Sequence, residues 1–185
     1  LMRQSRVRLV CTTDDPTDSL EHHRTIAADP SFDIQVLPAW RPDKALAIDR
    51  LAFWNAWIDK LGAVSNRDIA TFDEFLAALQ QRHDVFHQAG CRLSDYGVET
   101  VHAEPWDDRH IQAVFAKARS GNAPDPAEVL QFRSALLLHF GRMDAASDWT
   151  WQIHYNALRN NNLRLFPTLG PDTGFDSIGD WPVAE

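Results

Sequence analysis

The sequence predicts an α/β protein with a parallel sheet, and three observations carry that prediction. Short β-rich runs, from Val7–Thr13 to Trp149–Asn156, alternate with longer segments of helical period. No hairpin-type turn joins one such run to the next. Each run ends in a polar cluster, which points to one arc of a βα-barrel rather than to a doubly wound sheet. No Gly-x-Gly-x-x-Gly turn or phosphate-binding loop is present, so the usual nucleotide-binding reading falls away.

The elements follow in chain order. Leu1–Arg6 reads as the tail of a helix, and Val7–Thr13 as a buried strand stopped by Asp14-Asp15-Pro16. Asp18-Ser-Leu-Glu21 has the form of a capping box, which predicts a helix with Asp18 as its N-cap. A second strand begins at Ile34 and ends in Trp40-Arg41 before Pro42-Asp43. Residues 44–61 and 66–88 read as helices, with Gly62 as a C-cap and Ser65 as an N-cap. Their stripe of Phe53, Trp54, Trp57, Phe72 and Phe75 is core packing. Gly90–Ser94 is the third strand, ending at Asp95-Tyr96-Gly97. Helices follow at 107–119 and 125–141, the second introduced by Pro124-Asp125-Pro126.

The fourth strand is the most informative. Trp151, Ile153 and Tyr155 share one face, and Gln152, His154 and Asn156 the other. Its polar face therefore looks onto something other than an apolar core. It runs into Arg159 and three asparagines, which suit a loop with unusual dihedrals. A glycine-rich loop spans 169–177, and Trp181-Pro182 introduces a further helix.

Composition narrows the function. The 185 residues suffice for one domain with a sizeable core. A net charge of −8 argues against a nucleic-acid partner and against an anionic membrane surface. No apolar run reaches the roughly 20 residues of a transmembrane helix. Cys11 and Cys91 read as reduced, buried thiols of a cytoplasmic protein. The chain starts at Leu1 in mid-pattern and stops at Ala184-Glu185 as a helix begins, so it reads as a piece of something longer.

The strand ends supply Thr13, Asp14 and Asp15; Trp40 and Arg41; Asp95 and Tyr96; His154, Arg159 and Asn160. On a parallel barrel these share one rim, and acids, arginines and a histidine together suit a polyhydroxylated anionic small molecule. Each has a plainer reading: Asp14-Asp15-Pro16 as a turn, Arg41 as a structural ion pair, His154 as a hydrogen-bonded structural side chain. His22 and His23, adjacent on a helix, point about 100° apart and cannot chelate one ion. His83 and His87 have the i, i+4 spacing of a zinc pair but lack the Glu of His-Glu-x-x-His, so they read as a solvated helix face.

At this point a resemblance enters. Thr12-Thr-Asp-Asp-Pro16, Asp18-Ser-Leu-Glu-His-His23, Val36-Leu-Pro-Ala-Trp-Arg-Pro-Asp-Lys-Ala45, Ala157-Leu-Arg-Asn-Asn-Asn-Leu-Arg164 and Leu169-Gly-Pro-Asp-Thr-Gly-Phe-Asp-Ser-Ile178 closely resemble the uronate (glucuronate) isomerase family of the metal-dependent amidohydrolase superfamily. The resemblance covers residues 1–185 and implies a fragment of one (β/α)8-barrel domain, about strands two to five, with helical insertions at 44–88 and 105–147. It implies interconversion of D-glucuronate with D-fructuronate and of D-galacturonate with D-tagaturonate, with the metal's His-x-His and final aspartate outside this chain. Under it, His154, Asp14 and Asp95 are the catalytic candidates, with His154 beside or on the metal. Trp40, Arg41, Arg159 and Asn160 are the substrate contacts. A divalent metal, zinc, is expected in the full-length enzyme and no tight metal binding in this piece, which is itself expected to be inactive and to self-associate. Where relatives often read Ser-Asp-His-Gly, this chain has Ser94-Asp95-Tyr96-Gly97, so no imidazole role carries over to Tyr96. A hydrolase of the same superfamily and a non-catalytic fragment are the competing readings.

Overall fold

Proline at position 38 sets the path of the sheet, because it has no N–H to give to a ladder. In the computed structural model, which describes residues 1–171 and 173–181, β1 (Leu9–Cys11) and β2 (Gln35–Leu37) pair in parallel, Leu9 opposite Gln35. Beyond Pro38 the second strand serves both neighbours. Asp14 N–H donates to Ala39 O and Arg41 N–H to Asp14 O on one edge. Trp40 N–H donates to Leu93 O, and Asp95 N–H to Trp40 O, on the other. Isolated parallel bridges at Asp14–Trp40 and Trp40–Ser94 thus join the first pair to β3 (Leu93–Gly97). In turn β3 pairs in parallel with β4 (Thr150–His154), Gly97 opposite His154. The four strands lie side by side in chain order. They are shorter than the sequence suggests, and the third sits three residues later than its pattern, since Cys91 N–H still closes the preceding helical turn on Phe86 O.

Helices fill the connections: α1 (Glu21–Ala27) between β1 and β2, α2 (Leu51–Ser65) and α3 (Phe72–Gln88) between β2 and β3, α4 (Asp108–Arg119) and α5 (Pro126–Ala146) between β3 and β4. A single 3-10 turn, Asp43–Leu46, precedes α2. Past β4 come β5 (Ala157–Leu158), the short α6 (Phe166–Leu169) and β6 (Ser177–Ile178). β5 and β6 are antiparallel, an arrangement the sequence does not announce because 18 residues separate them. The helix expected after Trp181-Pro182 lies outside the described residues.

Caps explain where the helices start. Thr71 and Glu74 form a reciprocal capping box on α3, Asp125 and Glu128 form one on α5 with Pro126 in the first turn, and Asp107 caps α4. Three expectations fail. Asp18 does not cap α1; its carboxylate accepts from Asp15 N–H, and the N-cap is Leu20 in the left-handed region. Gly62 and Ser65 lie inside α2, whose C-cap is Asn66 at φ 52°. Gly62 is needed for close approach, since a Cβ there would stand 2.8 Å from Arg67 O. Leu1–Arg6 forms turns rather than a helix.

The core is aromatic, and Trp54, Trp57, Phe72 and Phe75 of the stripe lie in it; Phe53 does not, since it faces outward on α2 with the Arg50 guanidinium over its ring. Trp54 meets Phe75, Phe115 and Phe132 edge-on, with ring centroids 5.4–6.2 Å apart. Both cysteines are free; Cys91 is buried but Cys11, on the outermost strand, is exposed, contrary to expectation. No described helix is long and apolar enough to cross a membrane.

Candidate active site

Alternation along β3 sends Ser94 and Tyr96 toward the helices and leaves Asp95 and Gly97 for the opposite face. Both Ser94 and Tyr96 are fully buried, with Tyr96 packed on Phe140 and Trp151. Burial pushes the Tyr96 phenol well up. Residue 96 therefore belongs to the core rather than to the polar face.

On that polar face Asp95 is a hub. Its Oδ1 lies 2.5 Å from His154 Nδ1. Its Oδ2 accepts, at 3.5 Å each, from Thr13 Oγ1 and Arg41 Nη1. A carboxylate at Nδ1 fixes the proton there and leaves Nε2 with its lone pair outward. The Asp95 side chain is 11% exposed and that of His154 63%, so a sheltered anion holds an accessible ring.

Arg41 reaches this hub from the end of the second strand. Its Nε donates to Asp43 Oδ2 at 2.8 Å, and Gly97 N–H donates to both Asp43 oxygens at 3.1 and 3.2 Å. Burial pushes the Asp43 carboxyl up, against the pull of the Arg41 guanidinium and the Gly97 N–H. Arg159 approaches the same glycine, its Nη1 bonded to Asp176 Oδ2 at 2.5 Å. Asn160, at φ 58°, donates its backbone N–H to Asp176 Oδ1. A cavity of about 320 Å³ lined by Thr13, Asp14, Asp15, Asp18, Arg41, Asp43 and Lys44 opens beside Arg41.

Of the residues picked out from sequence, Asp95, His154 and Arg41 come together, with Arg159 and Asn160 at the edge. Two do not. The Asp14 carboxylate accepts from Thr12 Oγ1 at 2.6 Å and from Ala39 N–H, on the face that carries His23. Odd and even residues of one strand cannot serve one face, and Thr13, not Asp14, points at Asp95. Trp40 is fully buried against His83 and Phe86, so its indole touches core and not substrate. Asp15 is structural as well. Burial works to raise its carboxyl, but bonds from Thr17, Lys44 and Trp57 outweigh that and hold it below the ordinary range. His83 is no solvated face: it is buried, stacked on Trp149 and paired with Asp144.

Asp43, Gly97 and Asp176 escape the sequence reading. The signal for Asp43 is its place two residues beyond Arg41, at the start of the 3-10 turn after Pro42. Gly97 and Asp176 give no local signal, because their partners come from distant elements.

A metal is implied by the resemblance, and His154 fits one ligand position, with Nδ1 held by a carboxylate and Nε2 open. Among the described residues no group of three His, Cys, Asp or Glu side chains is placed to hold an ion.

Comparison with known proteins bears on the family and the fold. The glucuronate isomerase family model matches residues 1–185. The uronate isomerase of Cellvibrio japonicus is 51% identical over 185 residues, 100% of this chain and 39% of its own length. That of Bacteroides thetaiotaomicron is 50% identical over the same shares. The crystal structure of uronate isomerase from Thermotoga maritima matches with a TM-score of 0.90 at 35% identity, over 99% of this chain and 40% of that one. The mixed helix-and-strand fold is thus shared with solved uronate isomerases, and the chain spans about two-fifths of the length of the relatives it matches. With the matched region running from Leu1 to Glu185, the chain belongs to the glucuronate isomerase family.

Proposed function

We propose that this chain is one arc, about strands two to five, of a (β/α)8 barrel in a cytoplasmic enzyme that isomerises D-glucuronate to D-fructuronate and D-galacturonate to D-tagaturonate. The observation that carries the reading is the Arg41–Asp95–His154 assembly, a guanidinium and an imidazole joined through one sheltered carboxylate. Aldose–ketose isomerisation moves a proton between C2 and C1 through an enediol. Arg41 grips the uronate carboxylate and so fixes C1 and C2. His154 presents Nε2 to the reacting end, held in place by Asp95. Arg159 and Asn160 border the substrate. A divalent metal such as zinc, when bound, would polarise the carbonyl oxygen. Where His154 Nε2 ligates that metal, its part at the reacting end is to hold the ion and not to move the proton.

The test is turnover of uronates against amides and lactones by a full-length enzyme carrying this segment. Isomerisation of uronates alone is expected. In the same enzyme Arg41→Ala should weaken uronate binding or turnover by about 2 kcal/mol or more, and Arg41→Lys should not restore it. Wild-type kinetics in both variants would reduce Arg41 to a structural residue. The 185-residue chain alone is proposed to be inactive and to self-associate, given exposed apolar side chains such as Leu163 and Ile178. Measurable turnover, or a monodisperse monomer in light scattering, would overturn those two points.

A further inference from the structure

We infer that Asp43 and Gly97 are positioning residues for the Arg41 guanidinium, and that position 97 must be glycine because that guanidinium lies against its α-carbon. The inference rests on the reading of Arg41 as the group that takes the substrate's carboxylate. It adds two residues which that reading does not assign.

Space, not backbone conformation, sets the requirement at position 97. Gly97 belongs to the regular strand β3 and is not among the positive-φ glycines. A Cβ built there would collide with Arg41 Nη2 and would stand 3.2 Å from Asp43 Oδ2 and 3.3 Å from Arg159 Nη2. Two guanidinium groups therefore converge on one bare α-carbon. Each has its own carboxylate behind it, Asp43 for Arg41 and Asp176 for Arg159. Two cations brought this close repel unless anions join them, and Asp43 and Asp95 on Arg41 and Asp176 on Arg159 supply those anions.

Asp43 ties this arrangement to the strand. One carboxylate receives both the Arg41 Nε–H and the Gly97 N–H, so the guanidinium is indexed to the β3 backbone rather than left to its own rotamers. Desolvation opposes the charge on Asp43, and the guanidinium beside it opposes its neutralisation. Such a group is costly to keep unless its position is used.

The atom in the way of a methyl at 97 is the far end of a flexible side chain, so Gly97→Ala should move Arg41 rather than unfold the chain. The experiment uses the full-length enzyme with Gly97→Ala and, separately, Asp43→Asn. Each should raise KM for D-glucuronate by about tenfold or more, with kcat changed less than about threefold, because binding common to ground and transition states is what is removed. D-glucuronamide, which lacks the charge, should show no such change. Equal losses on the acid and the amide, or wild-type kinetics on both, would overturn the inference. A second readout needs no turnover: in 15N-arginine-labelled protein the Arg41 Nε–H signal, slow to exchange under Asp43, should become fast in Asp43→Asn and shift in Gly97→Ala. An unchanged signal would overturn the inference whether or not the enzyme isomerises uronates. Absence of uronate turnover in the wild type would instead strike the functional reading.

Discussion

His83 with Asp144 and His154 with Asp95 are the same two side chains in opposite surroundings. In the first pair Nε2 lies 3.2 Å from the carboxylate, with exposures of 1% and 2%. The second Asp144 oxygen accepts from Ser94 Oγ, the His83 ring stacks on Trp149 at 3.7 Å, and Trp149 Nε1 donates to His87 Nδ1. In the second pair the carboxylate is sheltered and the ring stands out. Neighbouring residues of β3 serve the two: Ser94 turns in to Asp144, and Asp95 turns out to His154. A His–Asp pair thus says nothing of function by itself. The face of the strand decides whether it locks helices to the sheet or offers a ring to a ligand.

The largest expected effect comes from breaking the buried pair. Asp144→Ala should lower stability by about 3–5 kcal/mol, since it strands a buried imidazole and the Ser94 hydroxyl. Urea unfolding measures this, and a loss under about 1 kcal/mol would erase the distinction between the pairs. At the rim the balance should invert. His154→Gln should cost less than about 1 kcal/mol of stability, while turnover of D-glucuronate by the full-length enzyme falls by about a hundredfold or more. Asp15 sharpens the contrast with a smaller effect, as a sheltered carboxylate whose partners are all structural. Its carboxyl is held low, so its contribution is complete above the ordinary carboxylate pKa and fades as pH falls through the lowered one. Asp15→Asn should therefore destabilise near neutral pH, and the gap to wild type should close below about pH 4. A gap that does not change with pH would mean that shape, not charge, matters there.

What the sequence made legible was what short-range chemistry controls. The starts of α4 and α5 are plain in Asp107 and in Pro124-Asp125-Pro126, because caps act within one turn. The polar face of β4, and with it His154, follows from alternation alone. The capping box at Asp18 was a false friend: its carboxylate finds Asp15 N–H first, and the chain enters α1 through a strained Leu20. Trp40 turns into the core and the Asp14 carboxylate turns to Thr12 and Ala39, because the ends of strands name the rim without naming the face. His83 looked solvated because its partners, Asp144 and Trp149, arrive from far along the chain. Gly97 was silent for the same reason, its meaning residing in Arg41.

The order of the helices has a kinetic consequence. α2 packs on α3, α3 on α4 and α4 on α5, all neighbours in sequence. Contacts of that kind close early, whereas the parallel pairing of β3 with β4 must wait for the loop that contains both α4 and α5. We expect the helical layer to act as a template, with the Asp95–His154 pair among the last contacts made. Substitutions at those two residues are expected to speed unfolding and leave the folding rate unchanged, which stopped-flow folding and unfolding rates would measure. The candidate site would then be kinetically insulated from the part that builds the fold, free to vary without slowing assembly.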